Sequence, residues 1–267
     1  MFNRFLAYFD YLGFSDFINR NNVFEQIEVM ERNYLDIANA LSKGRTITRP
    51  DGGLTPNLDE SKLKCINFSD TVVFYSNDDS LDSLKEILEV TFWYNTRCNI
   101  HFFPVRGCVY FGEFMDVHLN RPNENNGALH VNSVFGTGLI QAHLKAENQS
   151  WAGTVIDNSI RDYLREKYID VADYLSPFAK RYEVPYKSNE IEGKYTQCIG
   201  RIMGLRDIER EWVIHLVETN GKKLNNEAYQ NYKRNIIANF SAHNKKANNI
   251  KVQRMLTNTL RFLKSYT

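Results

Sequence analysis

Residues 66–76 read INFSDTVVFYS, two β-prone runs (Lys64–Phe68 and Thr71–Ser76) on either side of Ser69-Asp70. Alternating apolar residues broken by a two-residue polar step predict a hairpin with an acidic tip. Upstream, residues 5–17 read FLAYFDYLGFSDF. Phe5 to Phe9 is a short aromatic run suited to a buried strand, with Asp10 at its end and Gly13 free to turn the chain. Ser15 or Asp16 is then the expected cap of a long helix. Its apolar set, Phe24, Ile27, Met30, Tyr34, Ile37 and Leu41, recurs at three- and four-residue steps, which predicts one buried face. Residues 44–61 lack any packing period and read as a turn-rich loop.

Downstream, Leu81, Leu84, Leu88, Thr91 and Phe92 mark a second amphipathic helix, and Phe102–Phe111 a strand. Residues 112–132 read as a long polar loop, and a helix follows Gly136-Thr137-Gly138 to about Asn148. Trp151–Ile156 is a strand, Asn158 or Ser159 caps a helix to about Tyr168, and Trp212–Val217 is a late strand. The order β-α-β-β-α-β, then α-β-α, predicts an α+β, ferredoxin-like (split βαβ) fold. Its sheet is antiparallel-rich with flanking helices and a helical C-terminal extension.

The 267 residues carry 33 Lys+Arg against 32 Asp+Glu. From Gly221 to Thr267 stand ten Lys/Arg and one acid, Glu227, so this tail is +9 and the first 220 residues are −8. The expected organisation is therefore a body, 1–220, and a basic helical extension, 221–267, packing on the body or on a dimer partner. Cys65, Cys98, Cys108 and Cys198 show no CxxC pairing and read as buried hydrophobes of a reducing compartment. No run approaches a membrane span, so the expectation is a cytoplasmic chain with no membrane partner. A nucleic-acid partner suits the basic tail, but no RNP-like strand accompanies it, and none is expected. His101, His118, His130, His215 and His243 have no metal-ligand spacing.

Asp10 at a strand end and Asp70 at a hairpin tip belong to neighbouring strands in this topology, so their carboxylates can converge. Two such charges repel unless a divalent cation lies between them. Four segments occur in one order over residues 5–157: FDYLGFSDF, INFSDTVVFYS, PVRGCVYFGEF and VFGTGLIQAHLKAE. In that order they resemble the motifs of class III nucleotidyl cyclases, in the spelling of the pyrimidine cyclases of bacterial Pycsar anti-phage systems. The resemblance implies a homodimer with sites at the interface. The implied reaction is metal-dependent conversion of UTP or CTP to cyclic UMP or cyclic CMP.

Carried over position by position, the resemblance makes Asp10, the Tyr11 carbonyl and Asp70 ligands of two Mg²⁺ or Mn²⁺ ions. Gly13 and Phe14 lie in the turn that faces the triphosphate. Ile66 and Ser133 stand where purine cyclases carry a base-reading donor and acceptor, which weakens an adenylyl reading. Counting strictly from Ala142 puts Ile140 and Leu144 at the transition-state positions. A one-residue shift brings Gln141 and Lys145, again an i,i+4 pair; the alternative is a solvated polar face with Ile140 and Leu144 in the core. His143 is a lesser helper. Arg106 contacts phosphate or braces the dimer, and Lys194 is a candidate phosphate lysine.

Overall fold

The computed structural model describes residues 2–187, 210–218 and 221–267. Its centre is β1 (Phe2–Tyr11), which has antiparallel partners on both sides, β5 (Thr71–Tyr75) and β6 (Val105–Pro122). β4 (Lys64–Phe68) closes the hairpin on β5, giving the order β4-β5-β1-β6. That order and sense, with α2 (Val23–Leu41) before the hairpin and α3 (Leu81–Thr96) after it, is the split βαβ arrangement. β8 (Thr154–Ile156) adds parallel to β6, and β10 (Glu211–Ile214) and β9 (Ala179–Tyr182) extend that edge antiparallel.

Alternation along β1 assigns two different interiors. Phe5, Ala7, Phe9 and Tyr11 pack with Phe17, Phe74, Leu84, Leu88, Tyr94 and Phe103 in one deep aromatic core. Leu6 and Tyr8 face the other way, with Ile66, Val73 and Tyr75, towards α4 (Thr137–Glu147). α4 comes close to the sheet because its buried residues are Gly138, Ala142 and Ala146. A Cβ on Gly136 (φ 145°) would fall 2.2 Å from the Glu113 carbonyl oxygen, so only glycine fits there. Gly107 is constrained similarly: its Cβ would lie 2.8 Å from the Tyr8 carbonyl oxygen.

Several elements depart from the sequence expectation. The long first helix is broken in two. α1 (Phe14–Arg20) starts at Gly13, whose φ of 83° sets the turn, rather than at a Ser15 or Asp16 cap. α2 starts afresh at Asn22, where Asn22 and Glu25 form a capping box. The face of α2 that packs is Val29, Asn33, Asp36, Ile37 and Ala40, while Phe24, Ile27 and Tyr34 are exposed. Periodicity identified a stripe but not which stripe is covered. Residues 44–61 contain a small hairpin, β2 (Thr46–Thr48) with β3 (Leu54–Pro56). The stretch 112–132 is not a loop: β6 continues to Pro122 and returns as β7 (Ala128–Phe135), an arm projecting beyond the sheet.

After β8 the chain forms α5 (Asn158–Glu166), capped by Asp157, and the short α6 (Val171–Leu175). In the extension, α7 (Asn226–Ser241) and α8 (Ile250–Lys264) bury Ile236, Phe240, Phe262 and Leu263. These pack with Trp151, Val155 and Val213 in a third cluster. No helix among the described residues is long and apolar enough to cross a membrane.

Candidate functional site

Asp10 ends the even-numbered row of β1, on the α4 side of the sheet. The β1 register sets it opposite Thr71 on β5 and Arg106 on β6. The Tyr11 N–H donates to the Asp70 carbonyl oxygen at 2.9 Å, tying the hairpin tip to the strand end. Ser69, at φ 52°, makes the turn that places Asp70. The two carboxylates therefore share one end of the sheet, as the sequence predicts.

Arg106 binds one oxygen of Asp10 through both Nε and a terminal nitrogen, each at 2.7 Å. Its other terminal nitrogen donates to the Glu147 carbonyl oxygen at 2.9 Å. Arg106 thus braces Asp10 against the end of α4. Even so, Asp10 is held above the usual carboxylate range. Burial pushes it up, Arg106 pulls it down, and the Asp70 charge adds to the upward push. Two carboxylates at one end of the sheet, hard oxygen donors, fit a divalent cation. Among the described residues no three His, Cys, Asp or Glu side chains group to hold a metal. The remaining ligands of such an ion would be backbone, substrate phosphate and water, a common arrangement for Mg²⁺. The Tyr11 side chain is not available for this, since it is buried and hydrogen-bonded to Tyr94. Only its backbone faces the site.

Tyr8 and His143 were not given leading roles by the sequence, yet they stand beside the acids. The Tyr8 hydroxyl lies 2.9 Å from His143 Nδ1 and 3.3 Å from Thr71 Oγ1. Burial raises its pKa, and the Asp10 and Asp70 charges raise it further. The signal was legible: Tyr8 and Asp10 are two apart on one strand and must share a face. Lys187 is a second omission. Burial lowers its pKa, Arg106 lowers it further, and Glu147 and Asp10 act in the opposite sense, so it too lies in the field of the site.

The other expected residues are placed differently. Gly13 and Phe14 form the turn into α1, with the Phe14 ring stacked on Tyr11 at 6.2 Å. Ile66 is buried under α4 rather than open to a ligand. Ser133 is exposed on the β6–β7 arm, opposite Val117. Gln141 is exposed on α4, but Lys145 is not a free cation. Its Nζ lies 2.8 Å from Asp157 and 2.5 Å from Glu211. Burial opposes that charge, but the two acids outweigh it and hold the lysine well above its usual range. Ile140 and Leu144, which the alternative of a merely solvated polar face places in the core, are 57% and 51% exposed. The small Gly138-Ala142-Ala146 stripe takes the buried side instead. Lys194 and Cys198 lie outside the described residues.

No family model matches the chain, and no curated protein matches it by sequence. Among solved structures it is similar to the guanylate cyclase domain of RhGC from Catenaria anguillulae in complex with GTP. That match has 10% identity, 79% of this chain, 95% of that chain and a TM-score of 0.48. It is also similar to the adenylyl cyclase CyaB from P. aeruginosa, at 7% identity, 81% of this chain, 94% of that chain and a TM-score of 0.45. The catalytic core of a rhodopsin-guanylyl cyclase with converted specificity, in complex with ATPalphaS, gives 9% identity over 79% and 95% of the two chains and a TM-score of 0.49.

Proposed function

We propose that the chain is a metal-dependent pyrimidine nucleotide cyclase, acting on UTP or CTP as a homodimer and serving anti-phage signalling. The observation that carries this reading is the convergence of Asp10 and Asp70 at one end of the sheet, within four motif segments in the order of class III cyclases. Asp10, Asp70 and the Tyr11 carbonyl would hold two Mg²⁺ or Mn²⁺ ions. When bound, such ions neutralise the triphosphate and activate the ribose 3′-hydroxyl. Arg106 fixes the orientation of Asp10, and the Gly13-Phe14 turn offers backbone N–H groups to phosphate. The chain's task is chiefly to hold the hydroxyl in line with its own α-phosphate.

Two features support the finer parts. Ile66 is apolar and buried, so it offers no group to read a purine edge. Ile140 and Leu144 on α4, with Val117, Leu129 and Phe135 on the arm, are apolar and exposed. A second copy seated there would cover them and bring its own Gln141 near the carboxylates. A second reading, nucleotide binding without turnover, is favoured by one observation, the engagement of Lys145 by Asp157 and Glu211.

The test is incubation of the full chain with each of the four NTPs and Mn²⁺, with product identification. A cyclic pyrimidine nucleotide, lost on Asp10→Ala or Asp70→Ala in variants that keep the wild-type melting temperature, is the expected result. Turnover that survives either change removes the metal-site assignment. Binding of UTP with no product establishes the second reading.

A further inference from the structure

The α2 helix presents apolar residues to solvent on the side of the sheet remote from Asp10. Phe24 is 80% exposed, Ile27 51%, Tyr34 54% and Leu35 50%, with Val23 beside them at 58%. At 100° per residue, Val23, Ile27 and Tyr34 fall on one line, and Phe24 and Leu35 on the next. The stripe runs from Val23 to Leu35, about 18 Å along the helix. The small β2–β3 hairpin packed beside α2 carries Ile47 and Leu54, also exposed, and Leu58 follows it. The α4 face cannot account for this surface, because α2 packs with the odd-numbered residues of β1 and α4 with the even-numbered ones. Isolated exposed apolar residues need no explanation, but an aligned row on one helix marks a contact.

The charges flanking the row define what it accepts. On the same 100° count Glu31 falls between the two lines and Glu28 beside the second, both exposed. Its one exposed cation, Arg32, is turned aside: the guanidinium lies 4.7 Å from the Phe102 ring centre and donates to the His101 carbonyl oxygen. The surface is therefore an apolar ridge with an acidic border and no competing cation of its own on the helix.

We infer that α2 is the docking surface for an amphipathic helix of another protein, apolar along one face and bordered by Lys or Arg. Such a helix lays its apolar side chains along Phe24, Ile27 and Tyr34, and its cations meet Glu28 and Glu31. An acidic border disfavours an anionic membrane as the occupant, by the same charge argument. The surface lies apart from the nucleotide site, so this assignment stands whether or not the cyclase reading does.

The experiment uses the full chain and a labelled 18-residue Leu/Lys amphipathic peptide, with its Leu/Glu counterpart as control. The expected result is saturable, salt-sensitive binding of the Leu/Lys peptide only, with amide-exchange protection confined to about residues 23–35. Ile27→Glu weakens binding at least about tenfold, and Glu28→Lys with Glu31→Lys transfers preference to the Leu/Glu peptide. Because these side chains are exposed, the variants keep the wild-type circular dichroism. Equal peptide binding by all variants, or protection on α4 instead of α2, overturns the inference. So does an Ile27→Glu chain that loses self-association, which would make a second copy the occupant.

Discussion

The two faces of β1 use the same strand for opposite ends. On the odd face, Phe5, Phe9 and Tyr11 are closed in by α1, α2, α3 and α5 in a continuous aromatic interior. On the even face, α4 covers Leu6 and Tyr8 with small residues and leaves Asp10 at its open end beside Arg106. One face spends its residues on packing, and the other keeps polar groups in place where solvent and ligand can reach them. The difference teaches where function can reside: a period of two hands each β1 neighbour to a different environment.

The sharpest break of this comparison is on the odd face. Phe74 is fully buried, edge-on to Tyr94 at 5.2 Å and to Phe9 at 6.1 Å. Phe74→Ala should cost about 3–5 kcal/mol by loss of burial and creation of a cavity. Urea unfolding checks it, and a loss below about 1 kcal/mol would show that this core is loosely packed. Asp10→Ala on the even face should leave the urea midpoint nearly unchanged, since its partner Arg106 keeps its bond to the Glu147 carbonyl.

The even face also handles buried charge by pairing it. Lys145 bridges Asp157 and Glu211, while Tyr186 donates to Glu211 at 2.6 Å. Burial works against the Asp157 charge, but Lys145 and the Ser159 N–H outweigh it and hold the carboxyl below its usual range. Lys145→Met removes the cation and strands both acids, so it should destabilise by about 3 kcal/mol. The Asp157 contribution is present above the unfolded carboxylate pKa and is lost as pH falls below it. The wild-type advantage over Lys145→Met should therefore shrink below about pH 4. Denaturation midpoints at pH 3 and pH 7 measure this, and an advantage that is unchanged at pH 3 would refute the pairing.

How much of this was readable in the sequence follows the range of the interactions. The hairpin at 64–75 and the meeting of Asp10 with Asp70 were legible, because a two-residue turn and a strand period fix them locally. The covered face of α2 was not. Its apolar set Phe24, Ile27 and Tyr34 has helical spacing, yet the packed face includes Asn33 and Asp36, the latter satisfied by Arg97 from α3's C-terminal end. The fate of Lys145 was equally hidden, since Glu211 is 66 positions away and arrives only when β10 joins the sheet. Patterns report what one element wants to bury, and tertiary partners decide what it does bury.

Lys245 extends the comparison to a charge on the wrong side. The α7–α8 loop carries it past Gly13, and its Nζ is buried 3.8 Å from the centre of the Phe103 ring with no hydrogen-bond acceptor. Phe103 belongs to the odd-face aromatic core, which has only a ring face to offer. Burial therefore pulls this lysine down to about 7, and the nearby Asp16 charge only partly opposes it. Below pH 7 both folded and unfolded chains carry the proton, and the desolvation cost is fully present. Between about 7 and the ordinary lysine value of about 10.4 the folded chain sheds its proton first, so stability rises with pH across that window. Lys245→Met keeps the length of the side chain and favours aromatic contact, and should raise stability at pH 6 by about 2 kcal/mol. The gain should fade towards pH 10, where the wild-type amine is already neutral. Thermal melts of both chains from pH 6 to pH 10 decide the matter: a variant less stable than wild type at pH 6 would mean the ammonium is paired, and that the odd face handles charge as the even face does.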